Sequence, residues 1–275
     1  MTKGYLQVMI RAAYEAGREI MRIYTDPLSD FEIERKADNS PLTVADRSAH
    51  KIIVSYLEKT PFPVLSEEGR SIPYGERRAW PVLWIVDPLD GTKEFIRRNG
   101  EFTVNIALVE GGVPVAGVVY VPVRNVMYAA GEGGAWKLSG LAAVDGSAEL
   151  AYEKETLPLA SAAHDGFVVV ASRSHLSGET EAYIEKLKQE QGDVRFVSSG
   201  SSIKICLVAE GSADVYPRFA PTMEWDTAAG HAVARLSGSE IYRAGSELPL
   251  AYNKEDLLNP FFIVEKRRTD KDTAK

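Results

Sequence analysis

The residues of this sequence whose types and spacing could do chemistry are carboxylates that follow apolar runs. Asp87-Pro88-Leu89-Asp90-Gly91-Thr92 comes directly after Pro81-Val82-Leu83-Trp84-Ile85-Val86. A short buried strand therefore delivers two carboxylates three residues apart, with Pro and Gly fixing the turn between them. Hard cations such as Mg²⁺ take oxygen ligands in tight octahedral geometry, usually a few carboxylates completed by water and substrate phosphate. A rigid turn can aim both Asp side chains, and an intervening backbone carbonyl, at one point. The same hexapeptide also suits a plain strand–turn–helix junction in which Asp90 caps the helix. A second acidic group, Glu67-Glu68, follows the strand-like Val64-Leu65 and precedes Gly69; on its own such a pair is most often solvated surface. The third lies in Glu224-Trp225-Asp226-Thr227-Ala228-Ala229-Gly230. There Asp226 is expected as the N-cap of the helix that follows, where backbone N–H groups would also hold it as an oriented ligand, at a terminus that favours phosphate.

Other chemistries find no support. Gly131-Glu132-Gly133 lacks the third glycine of a dinucleotide fingerprint and sits between two strand-like runs, and no P-loop pattern occurs. The four histidines, at 50, 164, 175 and 231, show no His-Glu-x-x-His spacing. Ser199-Gly200-Ser201-Ser202 is not a nucleophile elbow. Cys206 falls within an apolar helical pattern and reads as core.

The elements that must position these groups are legible in outline. Leu6, Met9, Ile10, Ala13, Ile20 and Ile23 recur at helical spacing, so the chain opens with an amphipathic helix. A second helix is expected over about 43–58, with Thr43 and Asp46 as a capping box and Ile52, Ile53, Tyr56 and Leu57 on its apolar face. The strand at 81–86 is expected to stop at Asp-Pro. A meander follows, with strands at 102–109 and 113–121 around Glu110-Gly111-Gly112, then 127–130 and 135–138 around residues 131–134. Residues 139–165 have weak periodicity and are expected as a loose connection. The seam between an N-terminal half (1–150), carrying most acidic candidates, and a C-terminal half (151–265) is placed there, with 266–275 a polar, frayed tail. Beyond it, strand-like 168–171, 194–197, 213–216 and 240–242 alternate with helix-like 179–189, 202–209 and 227–235, which argues for layered α/β structure.

Bulk properties narrow the class. The chain has 275 residues, 45% of them hydrophobic and 26% charged, as in ordinary soluble globular proteins. Its net charge of −7, from 32 basic and 39 acidic residues, argues against nonspecific nucleic-acid binding, although a local basic pocket could still hold phosphate. The single cysteine excludes an internal disulfide framework and a Cys-rich zinc site. Charged residues interrupt the N-terminal helix, so no export signal is read there, and no run reaches the ~18 apolar residues of a membrane span. The expected location is the cytoplasm.

Taken together and in order, Glu67, Trp84-Ile85-Val86-Asp87-Pro88-Leu89-Asp90-Gly91-Thr92 and Trp225-Asp226-Thr227-Ala228-Ala229-Gly230 resemble the motifs of the inositol monophosphatase superfamily. That family comprises lithium-sensitive, Mg²⁺-dependent phosphatases. Lys36-Ala37-Asp38-Asn39-Ser40-Pro41, Thr92–Ile96, Asn99–Leu108, Gly200-Ser201-Ser202-Ile203-Lys204, Tyr216-Pro217-Arg218-Phe219 and Leu258-Asn259-Pro260 look like the nucleotide-directed, bacterial branch. The resemblance spans about residues 5–264.

The resemblance implies an αβαβα layered fold with the active site between the two halves. It implies hydrolysis of 3′-phosphoadenosine 5′-phosphate to AMP and phosphate, with phosphoadenylyl sulfate as a second substrate. One Mg²⁺ would be held by Glu67, Asp87 and the Leu89 carbonyl, and another by Asp87, Asp90 and Asp226; a third, mostly water-held, would use Glu67. Asp46 with Thr92 would orient the attacking water, although Asp46 also reads as the acid of the capping box. Substrate contacts carry over to Asp90, Gly91, Thr92, His175, Ser201, Lys204, Arg218 and Asp226. The implied partner is a small nucleotide, with no nucleic acid, no other protein and a monomer or homodimer. The cytoplasmic face of the inner membrane is a location assigned to this branch, but the sequence shows no anchor. The competing readings are a phosphatase of inositol monophosphates or sugar bisphosphates, which shares the metal motifs, and a non-catalytic sensor of the same nucleotide.

Overall fold

The computed structural model describes residues 4–36, 41–145, 147, 149–171 and 177–268. Helix α1 (Tyr5–Thr25) buries Met9, Ala13, Gly17 and Ile20 along one side, and α2 (Val44–Leu57) runs beside it. Gly17 is required by this packing, because a Cβ there would stand 2.3 Å from the Tyr120 ring. The short strands β1 (Glu34–Arg35) and β2 (Pro41–Leu42) pair between the two helices in sequence.

Seven strands follow as one sheet in chain order: β3 (Val64–Ser66), β4 (Val82–Asp90), β5 (Thr103–Glu110), β6 (Val113–Val121), β7 (Val126–Gly131), β8 (Gly134–Ala143) and β9 (Leu150–Thr156). Every neighbouring pair is antiparallel except β3 with β4, which are parallel. The short helices α3 (Tyr74–Arg77) and α4 (Thr92–Ile96) flank β4. The second sheet has the order β11 (Val194–Ser198), β10 (Phe167–Ala171), β12 (Val215–Arg218), β14 (Phe262–Lys266), β13 (Ser239–Arg243). Helices α5 (Gly178–Gln191), α6 (Ile203–Glu210) and α7 (Glu224–Leu236) complete the set.

Three apolar cores fill the spaces between five layers, the middle core spanning both sides of the α6–α7 layer. Trp84, Val86, Val104, Ile106 and Val118 point from the large sheet toward α1 and α2. Leu83, Ile85, Ala107, Val109 and Val119 point the opposite way, toward Cys206 of α6, Ala229 and Val233 of α7, and Val168 and Val264 of the second sheet. Val169, Val215 and Ile263 meet Ile184 and Leu187 of α5 on the far side. The architecture is the αβαβα sandwich that the resemblance implied, with β4 and β5 buried on both faces.

Two expectations are corrected and one strand is added. The strand through Trp84 does not stop at Asp-Pro: β4 continues to Asp90 by way of a bulge. Residues 139–165 are not a loose connection, since β8 runs to Ala143 and β9 pairs with it from Ala143↔Leu150 to Trp136↔Thr156. The strand thus begins where the sequence placed the seam, and the change of sheet comes after Thr156. Its alternation is weak because β9 is a solvated edge strand carrying Glu153, Lys154 and Glu155. Strand β14 has no forecast in the sequence reading, although it lies inside the second sheet, between β12 and β13.

Candidate active site

Register explains how the acidic groups meet. β3 and β4 run parallel with Leu65↔Ile85 and Ser66↔Val86 in register, so the next residues, Glu67 and Asp87, leave the sheet side by side. The Glu67 N–H donates to the Val86 carbonyl at 3.1 Å, which keeps them adjacent. On the other side of β4, Asp87 faces Asn105 and Asp90 faces Thr103, so three steps on β4 match two on β5. In a regular strand, residues three apart point to opposite faces; the bulge rotates Asp90 onto the face of Asp87. That face is the one covered by α7. Oxygen atoms of Asp87, Asp90 and Asp226 all lie within 4.8 Å of one another.

Each carboxylate is held differently. Asp90 Oδ2 accepts from the Ser202 N–H at 2.7 Å and lies 2.8 Å from the Ser202 hydroxyl, which is also 2.7 Å from the Asp226 carbonyl oxygen. Asp226 is not the N-cap: α7 begins at Glu224, and Asp226, in its first turn, folds back to accept from the Met223 N–H at 2.7 Å. Asp87 accepts only from the Leu89 N–H, at 3.0 Å, among the described hydrogen bonds. Lys36 pairs with Glu67 at 2.6 Å and also with Glu68.

Burial sets the electrostatics. It pushes Asp87 well above the usual carboxylate range, and the nearby charges of Glu67, Asp90 and Asp226 push the same way. Asp226 is pushed up to about 8, by burial first and then by the charge of Asp90. Glu67 is raised by burial against the opposing pull of Lys36. Like charges this close and this buried hold protons unless a cation neutralises them. A divalent metal is the group that fits this donor set: all hard oxygen, clustered, and poor in competing N–H donors at Asp87.

Behind the cluster, Asp46 serves two partners at once. Its Oδ2 takes the Thr43 N–H at 2.8 Å and the Thr43 hydroxyl at 2.5 Å, while Oδ1 takes the Thr92 hydroxyl at 3.1 Å. The two readings of Asp46, capping acid and partner of Thr92, are therefore both true of its geometry. Burial raises its carboxyl above the usual range despite the Thr43 donors.

Asp90, Gly91, Ser201, Lys204, Arg218 and Asp226 line one cleft. Gly91 sits at φ +91°, where a side chain would be strained, and a Cβ there would stand 3.0 Å from the Glu101 carbonyl. Ser201, not a glycine, holds φ +44°, a conformation that non-glycine residues reach at a cost and that clusters at functional sites. Its Oγ is buried without a hydrogen-bond partner among the described residues, and so is Arg218 Nε. Lys204 is buried on α6, its ammonium 2.7 Å from the Ser201 carbonyl; burial pulls it down to about 8, against the attraction of Asp90. His175 lies outside the described residues, as do residues 37–40 of the Lys36–Pro41 motif.

Ser202, which joins Asp90 of one half to Asp226 of the other, was missed by the sequence reading, as were Thr103 and Asn105 beneath Asp90. The signal was available. Thr103 and Asn105 are polar at alternate positions of an otherwise apolar strand, and both are almost fully buried. Buried polar groups demand partners, and here the partners are Asp90 and Ser202.

A profile of the inositol monophosphatase family matches residues 3–274. The chain belongs to the inositol monophosphatase family. Within that family it is 47% identical over 264 residues to the 3′(2′),5′-bisphosphate nucleotidase CysQ of Escherichia coli (strain K12), covering 94% of this chain and 98% of that protein. It is 32% identical over 269 residues to the protein of the same name from Haemophilus influenzae, covering 96% and 93%. The crystal structure of CysQ from Bacteroides thetaiotaomicron, described as a bacterial member of the inositol monophosphatase family, superposes with a TM-score of 0.89 at 61% identity, over 97% of this chain and 98% of that one. The family is metal-dependent, and the buried acidic cluster is where this chain could hold metal.

Proposed function

We propose that this protein is a 3′(2′),5′-bisphosphate nucleotidase that removes the 3′-phosphate of 3′-phosphoadenosine 5′-phosphate, giving AMP and phosphate, with Mg²⁺ as its cofactor. The observation that carries the reading is the shared cleft. A cluster of carboxylates suited to cations opens beside two basic side chains, buried Lys204 and half-buried Arg218, whose buried Nε has no acceptor among the described residues. A substrate with two phosphates needs both parts, one phosphate to react and another to be held. Relatives named as bisphosphate nucleotidases at 47% identity support it.

In this reading Glu67, Asp87 and the Leu89 carbonyl hold one Mg²⁺, and Asp87, Asp90 and Asp226 hold another, with Asp87 shared and Glu67 available to a third. Mg²⁺ held by these residues would supply positive charge for activating water, orienting the phosphoryl group and neutralising the leaving oxygen. The chain itself does the rest. The Thr92 hydroxyl, its proton directed to Asp46 Oδ1 or to the Leu89 carbonyl at 3.3 Å, keeps its lone pairs to accept from the attacking water. Asp46, raised by burial, is poised to take the proton. The Ser201 hydroxyl and Arg218 Nε receive the second phosphate, Arg as a planar donor and Lys204 as a point charge. No serine or cysteine nucleophile is needed, because phosphoryl transfer asks for positioning and charge stabilisation.

A cytoplasmic location belongs to this reading; among the described residues no helix is long and apolar enough to cross a membrane. Phosphate release from 3′-phosphoadenosine 5′-phosphate, phosphoadenylyl sulfate, inositol 1-phosphate and fructose 1,6-bisphosphate, with and without Mg²⁺, tests the reading. Preferred turnover of the first substrate is expected. Faster turnover of inositol phosphate, or nucleotide binding without turnover, would replace it.

A further inference from the structure

The Leu258-Asn259-Pro260 motif touches no substrate-facing residue of the reading above except through the backbone before α7, and that is where its use lies. Asn259 is buried, with 4% of its surface exposed. Its backbone N–H donates to the Thr222 carbonyl at 2.8 Å. Its side-chain Nδ2 donates to the Met223 carbonyl at 2.7 Å and to Thr227 Oγ1 at 3.0 Å, with Thr222 Oγ1 at 3.3 Å. Both peptide planes flanking Met223 are therefore gripped by one residue. Met223 is also the residue whose N–H orients the Asp226 carboxylate.

We infer that Asn259 is a positioning residue for the metal site, setting the aim of Asp226 and the span from Arg218 to Asp226. Thr222, which it holds at two atoms, lines the cleft between those two residues in sequence. Thr227, the next residue after Asp226, is held from the other side by the Tyr252 hydroxyl at 3.2 Å, and that hydroxyl is 2.9 Å from His231 Nδ1. His231 pairs in turn with buried Glu240. Glu224, at the start of α7, accepts from the Asn253 N–H at 2.6 Å, from the Lys254 N–H at 3.0 Å and from the Lys254 ammonium at 2.5 Å. The segment 252–259 is thus a clamp around the first turn of α7, with Asn259 the part bonded to Met223, the residue that orients the Asp226 carboxylate. Mg²⁺ tolerates little departure from octahedral geometry, so a loosened Asp226 costs affinity before it costs the fold. A ligand's hydrogen-bonded support is commonly worth 10–100-fold in metal affinity.

This inference rests on the metal reading of Asp226, and its test separates the two. Mg²⁺ binding is measured by isothermal titration calorimetry on the full chain, alongside Mg²⁺ activation of phosphate release and the melting temperature. Asn259→Ala is expected to weaken Mg²⁺ binding by about tenfold, the size of one buried hydrogen bond, and to shift the activation curve by the same factor. At saturating Mg²⁺, kcat should return to within about threefold of wild type, since the ligands themselves remain. Thr227→Val, nearly isosteric, removes one of the same contacts and should shift Mg²⁺ binding in the same direction even if Asn259→Ala folds poorly. Asp226→Asn is the reference. If it loses Mg²⁺ binding while both other variants keep wild-type affinity, Asn259 is only a structural clip. If wild type itself binds no Mg²⁺, the metal reading falls and this inference with it.

Discussion

Asp87→Asn should make the protein more stable in EDTA and inactive in Mg²⁺. Asp87 is fully buried beside Glu67, Asp90 and Asp226 and accepts a single described hydrogen bond, from Leu89 at 3.0 Å. Two unit charges no more than 4.8 Å apart, the spread of the cluster, would repel by at least roughly 3–4 kcal/mol at an effective dielectric constant of 20, a cost that protonation relieves. Because the folded pKa is raised above the unfolded value of ~3.9, ionising Asp87 in the folded state costs stability, and the cost grows as pH rises above that value. An amide of the same shape carries no such cost and can still accept from Leu89. Metal-free Asp87→Asn should therefore gain about 1–3 kcal/mol near pH 8, or roughly 2–5 °C in melting temperature for a chain of this size. The gain should shrink toward pH 5, where the wild-type group holds its proton. The assay is a melting series in EDTA from pH 5 to 8, paired with turnover of 3′-phosphoadenosine 5′-phosphate at saturating Mg²⁺. A lower melting temperature than wild type at every pH would refute the electrostatic reasoning, and turnover near wild type would refute the role of Asp87.

Other outcomes follow from the same geometry. Asp90→Asn should also abolish turnover, yet unlike Asp87→Asn it should lower the metal-free melting temperature, because Ser202 loses charge-assisted bonds worth about 1–3 kcal/mol; differential scanning calorimetry of the two variants side by side checks the contrast. Mg²⁺ affinity should tighten as pH rises from 6 to 8, by at most about tenfold per unit for each proton released, since Asp226 is held up to about 8; titration calorimetry in buffers of different ionisation enthalpy counts the protons. Arg218→Lys should raise KM for the bisphosphate about 10–100-fold by losing planar phosphate recognition, while leaving turnover of a simple monophosphate ester largely unchanged, and steady-state kinetics on both substrates reads the difference.

The sequence by itself determined a good deal. Apolar runs ending in acidic residues located the strand ends that meet at Glu67 and Asp87, and the Thr43–Asp46 spacing fixed the start of α2. Helical periodicity found α1, and the alternation after residue 167 gave the layered class. These are local signals, each contained within a few turns or strand steps. The substrate reading leaned on motifs spread along the chain.

What the sequence could not decide depends on partners far away in the chain. Asp87 and Asp90 are three apart, a spacing that points a regular strand's side chains to opposite faces. Only pairing with Thr103 and Asn105 shows that a bulge turns both to one side. Asp226 looked like a cap for its own helix, but its aim is set by Met223, and Met223 is fixed by Asn259, 36 residues on. Ser202 gained its place only when α6 and α7 came to rest between the two sheets and set its N–H on Asp90, 112 residues away. Residue types name the ligands, and strand register and helix packing set the distances between them, because hydrogen bonds across the fold have no signature in the spacing along it.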